Sequence, residues 1–242
     1  MTSSARPDLS VVVMAYNEAA TLADVVDELR SELEQLGRPW EIVIVDDGSS
    51  DGTEREAVRL AGLVPGVRSV RHPENRGLGG VYRTGFTEAQ GAHVTFYPAD
   101  GQFPASLLPL FRATILEADL VLGYLPERRS AFVGRALSAL ERMAYRVLVG
   151  PMPRFQGVMM YRRELMESVT LYSDGRGWGV VMEFILRSVR GSWRVRSVPT
   201  TVRPRAAGRS KVNNLRTIIA NLRQLVVLRA VLARGRSESV AG

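Results

Sequence analysis

Leu9-Ser10-Val11-Val12-Val13-Met14-Ala15, running into Tyr16-Asn17-Glu18, and Glu41-Ile42-Val43-Ile44-Val45, running into Asp46-Asp47-Gly48-Ser49-Ser50-Asp51-Gly52-Thr53, decide the fold. Each run is continuously apolar and rich in β-branched residues, as a strand buried on both faces requires. Each stops abruptly in polar, turn-forming residues. Between them Leu22, Val25, Val26, Leu29 and Leu33 recur at helical spacing, which predicts a helix from an N-cap at Asn17 through Leu36. The alternation continues with a short helix over 53–61, a strand over 67–71, a helix opening at Gly79 and running to Gln90, and a strand over 92–97. That last strand ends in Pro98-Ala99-Asp100-Gly101-Gln102. Strands alternating with helices imply an α/β domain whose mostly parallel sheet is flanked by helices and binds nucleotides.

The second half is less regular. Its pattern predicts a helix over 107–116, a strand over 120–123, a helix over 133–149, a strand over 158–161, a helix over 179–189 and a strand over 193–198. An Arg/Gly/Pro-rich loop over 203–211 precedes a long helix over 213–233. On that helix Leu215, Ile218, Ile219, Leu222, Leu225, Val226 and Leu232 share one face, Arg216, Arg223 and Arg234 gather opposite, and Arg229 interrupts the apolar side. A basic amphipathic helix lies on an anionic membrane surface, packs on its own domain or docks a partner. The expected organisation is one domain over 1–212, followed by a C-terminal amphipathic helix and tail over 213–242.

Composition narrows the chemistry. The 242-residue chain has no cysteine, which excludes disulfides and thiolate chemistry, and only two histidines, His72 and His93, which excludes a three-histidine zinc centre. Both histidines read as structural. No apolar run of bilayer length and no secretory leader is visible, so a cytoplasmic protein, peripheral on the membrane face at most, is expected. The net charge is +7, and Lys211 is the only lysine among 32 basic residues. A positive charge retained as lysine against so strong an arginine bias fits a site that needs a mobile point charge rather than a planar fork. Such a balance suits nucleic acid, an anionic membrane surface or phosphorylated substrates and does not choose among them; on the motifs that follow, no nucleic-acid partner is expected.

In a parallel α/β sheet, ligands bind outside the carboxyl ends of the strands. Three such ends carry polar residues here: Tyr16-Asn17-Glu18, Asp46 to Asp51, and Asp100 to Gln102. Any one of them could be an ordinary turn; the three converging suit a hydroxyl- and amide-rich ligand and a divalent cation. Together the strings from Val11 to Glu18 and from Val43 to Thr53 resemble the opening of family 2 glycosyltransferases of the GT-A fold. Asn75-Arg76-Gly77-Leu78-Gly79-Gly80 with Gly85 is similar to that family's next block, Ala99-Asp100-Gly101-Gln102 to its metal motif, and Arg205-Ala206-Ala207-Gly208-Arg209-Ser210-Lys211 to a late loop of its polyprenol-phosphate sugar synthases.

The resemblance implies roles. Ala15, Tyr16, Glu18, Asp47 and Gly77 would line the nucleotide pocket, with Asp47 accepting a hydrogen bond from the ring N–H of uracil or guanine. Asp100 and Gln102 would hold Mg²⁺ or Mn²⁺ at the diphosphate. Arg205 and Lys211 would act on the charge of the reacting groups, and Arg128, Arg135, Arg209 and Ser210 would hold an acceptor phosphate. Glu183 would orient an arginine, or serve as base if the acceptor is a hydroxyl; the residues alone equally allow an ordinary helix-surface glutamate. Two departures stand out: Pro98 replaces the first carboxylate of the usual metal motif, and Leu78 replaces a frequent lysine, which shifts phosphate recognition to Arg76, Arg83 or the late loop.

The function so implied is inverting transfer of a sugar from a nucleotide-sugar, GDP-mannose or a UDP-sugar, to a polyprenyl phosphate. Alternatives are a transferase of the same fold using a soluble hydroxyl acceptor, and a weakened nucleotide-sugar-binding scaffold that docks through its terminal helix.

Overall fold

The computed structural model describes residues 6–126, 150, 152–204, 227–230 and 232. Strands β1 (Leu9–Ala15), β2 (Trp40–Asp46), β3 (Val67–Arg71) and β4 (His93–Pro98) alternate with helices α1 (Leu22–Gln35), α2 (Thr53–Leu63) and α3 (Gly77–Glu88). A 3-10 turn at Ala105–Leu107 leads into α4 (Leu108–Ile115), followed by β5 (Leu120–Tyr124), β6 (Met159–Arg162), α5 (Arg163–Ser168), α6 (Gly179–Arg190) and β7 (Val195–Pro199). The seven strands form one sheet in the order β3-β2-β1-β4-β6-β5-β7. β1 pairs in parallel with β2 and β4, placing Val12 between Val43 and Phe96. β6 alone runs antiparallel, between β4 and β5.

The apolar runs are continuous because both faces of the sheet are covered. Val11, Val13, Ile42 and Ile44 meet Leu22, Val26, Leu29 and Leu33 of α1 and Phe111 of α4 on one side. Val12, Val43, Val45 and Phe96 meet Tyr82 of α3 and Val180, Val181 and Phe184 of α6 on the other. The second core is aromatic: Tyr82 lies 4.3 Å from Phe96, and Tyr161 lies edge-on to Phe184 at 5.1 Å. Gly85 lets α3 settle on this layer, since a Cβ there would come 2.4 Å from Phe96 Cε1 and 3.0 Å from Val12 Cγ1. Gly85→Ala is therefore expected to destabilise the protein by about 1–3 kcal/mol through overpacking, read from thermal or denaturant unfolding.

At the other end of the sheet, Asp119 accepts two hydrogen bonds from the Arg194 guanidinium (2.9 and 3.1 Å) and one from its amide (2.9 Å), fastening β7 beside β5. These bonds from Arg194, the side-chain ones foremost, hold the Asp119 carboxyl below the ordinary carboxylate value against its burial.

Several expected boundaries shift. α1 starts at Leu22, not after Asn17, because Asn17 takes a left-handed conformation (φ 56°) and is used elsewhere. The chain turns helical as a 3-10 turn at Ala105, just before the span expected at 107–116. α5, six residues with only Leu165 buried, is too short to leave a periodic signal in the sequence. The expected helix over 133–149, the loop over 205–211 and most of the helix over 213–233 lie outside the described residues. Residues 227–230 and 232 are helical, with Leu228 and Leu232 buried against Leu186 of α6 beside Met152 and Met182. Arg229 is exposed, so at this end the buried side runs through Leu228 and Leu232, and the arginine does not interrupt it.

Candidate active site at the carboxyl edge

The ends of β1, β2 and β4 lie side by side because the parallel ladder runs past them. The Asp47 amide donates to the Ala15 carbonyl and the Ala99 amide to the Met14 carbonyl, both at 2.9 Å. Ala15 is thus buried at the centre of the edge, Tyr16 is 45% exposed above it, and Asp47 and Asp100 flank it.

The loop after β1 is stitched to the loop after β2. The Asn17 amide donates to Ser49 Oγ (2.9 Å), and Asn17 Oδ1 accepts from the Ser50 amide (2.9 Å). The Glu18 amide donates to Thr53 Oγ1 (2.9 Å), and the Ala19 amide to Asp51 Oδ2 (3.2 Å). Burial opposes ionisation of Asp51, but hydrogen bonds from the Thr53 hydroxyl and the Thr53 and Ala19 amides outweigh it and lower its pKa. The left-handed backbone at Asn17 points its amide and side chain at this second loop. Thr21 completes the tie by donating to the Ala99 carbonyl at 2.6 Å, which joins the β1 loop to the Asp100 turn. The sequence places Asn17, Ser49 and Thr53 in the polar strand ends and the turn after β2, but the bonds by which they join the two loops are not legible there.

Asp47 is 3% exposed and serves the first turn of α3. Its Oδ1 accepts from the Arg76 amide and its Oδ2 from the Gly77 amide, both at 2.8 Å. These are orphan helix N–H groups, for which a carboxylate is a favourable partner. His72 Nδ1 lies 2.7 Å from Asp47 Oδ1, and its Nε2 lies 2.7 Å from Thr84 Oγ1, so His72 is a structural bridge. Further along the turn, the Gly79 amide donates to the Arg176 carbonyl (3.0 Å). Three amides at the α3 N-terminus, on Arg76, Gly77 and Gly79, are therefore met by protein groups. Leu78, where lysine was noted as frequent, packs against the aromatic core.

Asp100 is 7% exposed at the end of β4, and its Oδ1 accepts from the Gln102 amide (3.1 Å). Among the described residues no group of three His, Cys, Asp or Glu side chains could hold a metal ion. The Asp100 carboxylate and the Gln102 amide oxygen are both hard donors. That set fits a Mg²⁺ or Mn²⁺ held chiefly by phosphate oxygens and water, not an all-protein cage. The Gln102 carbonyl also accepts from the Arg203 amide (2.8 Å), while the Arg203 guanidinium grips Glu28 at 2.7 and 2.9 Å. The chain thus passes the Asp100 turn two residues before Arg205. This contact brings Arg203 to the early acidic motif, and no sequence pattern announces it.

Arg128, Arg135, Arg205, Arg209, Ser210 and Lys211 lie outside the described residues. Glu183 is placed differently from the expected open base or surface glutamate. It is fully buried, accepting from the Tyr172 amide (3.1 Å), the Ser173 amide (2.7 Å) and Arg187 Nε (2.8 Å). A carboxylate so enclosed and so bonded is not presented to a solvent-side hydroxyl. Of the two expected roles, orientation of an arginine is the one this geometry suits. Of the remaining expected residues, the structure brings Ala15, Tyr16, Glu18, Asp47, Gly77, Asp100 and Gln102 to one edge of the sheet.

Comparison with known proteins agrees with this architecture. The model of Glycosyl transferase family 2 matches residues 10–169. A dolichol-phosphate mannosyltransferase from Pyrococcus furiosus is 28% identical over 227 residues, covering 90% of this chain and 62% of the relative. An undecaprenyl-phosphate 4-deoxy-4-formamido-L-arabinose transferase from Aeromonas hydrophila is 30% identical over 166 residues, covering 66% of this chain and 51% of the relative. The chain thus spans about half to two thirds of these two relatives. Among solved structures, glucosyl-3-phosphoglycerate synthase from Mycobacterium tuberculosis in complex with UDP superposes with a TM-score of 0.69 at 22% identity, covering 93% of this chain and 81% of that one. The same enzyme has been crystallised with Mn²⁺, UDP and phosphoglyceric acid. No helix among the described residues is long and apolar enough to cross a membrane. With the match spanning most of the sheet and the edge built from the same blocks, this chain belongs to glycosyl transferase family 2 and has the GT-A fold.

Proposed function

We propose that this chain is an inverting glycosyltransferase that moves a sugar from a nucleotide-sugar, GDP-mannose or a UDP-sugar, to a polyprenyl phosphate at the cytoplasmic membrane face. Ala15, Tyr16, Glu18 and Asp47 line the nucleoside pocket, with Gly77 at its margin. Asp47 takes the base N–H on acceptor capacity left over from its bonds to α3, since a carboxylate has about four lone-pair sites. Asp100 and Gln102 would hold a divalent cation, which would supply neutralisation of the charge that builds on the departing diphosphate. The acceptor phosphate oxygen attacks the anomeric carbon from the face opposite the diphosphate. The carbon–oxygen bond to the diphosphate breaks, its electron pair leaves with the nucleotide, and an α-linked donor gives a β-linked product.

The observation that carries this reading is the bond from the Arg203 amide to the Gln102 carbonyl, which brings the chain to the Asp100 turn two residues before Arg205. Arg205 and Lys211 then act on phosphate charge, and Arg128, Arg135, Arg209 and Ser210 on the acceptor headgroup. The burial of Glu183 supports the same choice, because an ionised phosphate oxygen needs no strong base. The names of the Pyrococcus and Aeromonas relatives, both lipid-phosphate transferases, support it too. The cation draws support from the Mn²⁺ and UDP held by the mycobacterial neighbour.

A second reading, transfer to a soluble hydroxyl, is favoured by that neighbour's phosphoglyceric acid complex. The two are separated by offering GDP-mannose and UDP-glucose with either an undecaprenyl phosphate micelle or phosphoglyceric acid. The proposal expects a glycolipid product; transfer to the soluble acid alone would replace it with the second reading.

A further inference from the structure

The segment 172–178 forms a strap across the same edge of the sheet, fixed at three places. At its start Glu183 takes the Tyr172 and Ser173 amides, and Arg187, bonded to Glu183, lies 5.1 Å over the Tyr172 ring. In its middle the Arg176 carbonyl accepts from the Gly79 amide, and Arg176 bonds Asn75 through its guanidinium. A Cβ on Gly79 would come 2.1 Å from the Gly175 carbonyl oxygen, so the strap lies directly on the turn that Asp47 caps. At its end Trp178 meets Tyr82 at 6.2 Å and Phe155 at 6.1 Å. Two residues beyond Phe155, Gly157 lies against the Phe103 ring, next in sequence to Gln102. The strap is thereby tied towards both Asp47 and Asp100. Tyr172, Asp174, Arg176 and Trp178 are exposed along it.

We propose that Glu183 is the positioning residue of this strap, and that the strap forms the acceptor-side wall of the site; the second half of this rests on the transferase reading above. Among the described residues the carboxylate takes both the Tyr172 and Ser173 amides, and it pairs with the Arg187 guanidinium on its own helix. Removing its charge leaves the Gly79–Arg176 tie and the Asp47 cap in place. The donor pocket should therefore survive while the start of the strap loosens.

The test is Glu183→Gln, whose amide has the same shape but must turn an N–H₂ towards groups that are themselves donors. The double variant Glu183→Gln with Arg187→Met removes both charges together and serves if the single variant does not fold. Three quantities are read: hydrogen exchange at the Tyr172 and Ser173 amides, binding of GDP and UDP with Mn²⁺, and transfer kinetics to the acceptor the wild type uses. The proposal expects exchange at those two amides at least tenfold faster, nucleotide affinity within threefold of wild type, and kcat/KM for the acceptor at least tenfold lower. Unchanged exchange would overturn the positioning role. Loosened exchange with wild-type transfer would overturn the acceptor-wall role, and so would nucleotide affinity and transfer falling together, which marks a general structural loss. If the wild type itself neither binds nucleotide nor transfers sugar, the acceptor-wall role falls with the transferase reading, and the exchange data decide the positioning role alone.

Discussion

Asp100→Ala lowers transfer at least about a hundredfold, the scale seen when one electrostatic contributor to a developing oxyanion is removed. The folded state should change little, because Asp100 lies past the end of β4 in a turn whose next residues, Gly101 to Phe103, are only partly buried. The effect is large because the protein supplies few cation ligands. Pro98 stands where a first carboxylate would be, and no three-ligand cluster exists among the described residues. With a single carboxylate in that position, its removal leaves an amide oxygen, phosphate and water. The check is turnover at saturating Mn²⁺ beside a thermal melt; activity within threefold of wild type, with an intact melt, would remove the metal role from Asp100.

Asp47→Ala has the second large effect, this time on stability as well as on donor binding. The variant strips partners from the Arg76 and Gly77 amides and from His72, itself 3% exposed. Each buried donor left unsatisfied costs about 1–3 kcal/mol, and part of this is recovered if water enters, so a total near 3 kcal/mol is expected. For a protein of this size that corresponds to a drop in Tm of about 10 °C. Asp47→Asn keeps one acceptor oxygen but presents N–H₂ to an amide donor, and should fall between wild type and alanine. Both variants should also lose GDP or UDP affinity, because α3 and the base-facing oxygen move together. A melt within 2 °C of wild type, about 0.5–1 kcal/mol, would show that the α3 turn does not depend on this carboxylate.

The parts of the fold that the sequence revealed are those whose signal is local and repeated. β1 and β2 are apolar throughout because they lie in the middle of a sheet covered on both faces, and α1 carries five buried residues at helical spacing. The antiparallel placement of β6 left no such trace: four residues cannot state which neighbours they will pair with. At the site, the acids were legible by type and position, but not by engagement. Asp47 stood out as a recognition carboxylate, and its work for the α3 turn emerged only when residues 76 and 77 were brought to it in space. Glu183 is open in the sequence to a role beside the acceptor or to a place on the helix surface, and its burial is not legible there because its partners sit 10 and 11 residues earlier in an aperiodic segment. Asn17 shows the converse, a plausible helix cap by type that the left-handed backbone diverts to the neighbouring loop.

The central claim is a metal-assisted site for a nucleoside diphosphate whose base carries a ring N–H. Calorimetric titration of the wild-type protein with GDP, UDP, CDP and ADP, each with and without Mg²⁺ or Mn²⁺, tests it most directly. The account predicts that GDP or UDP binds, that the affinity depends on the cation, and that CDP and ADP, which lack the ring donor, do not compete. Binding of none of the four with either ion would contradict it, and equal binding of all four without a cation would contradict both the base-reading role of Asp47 and the metal role of Asp100.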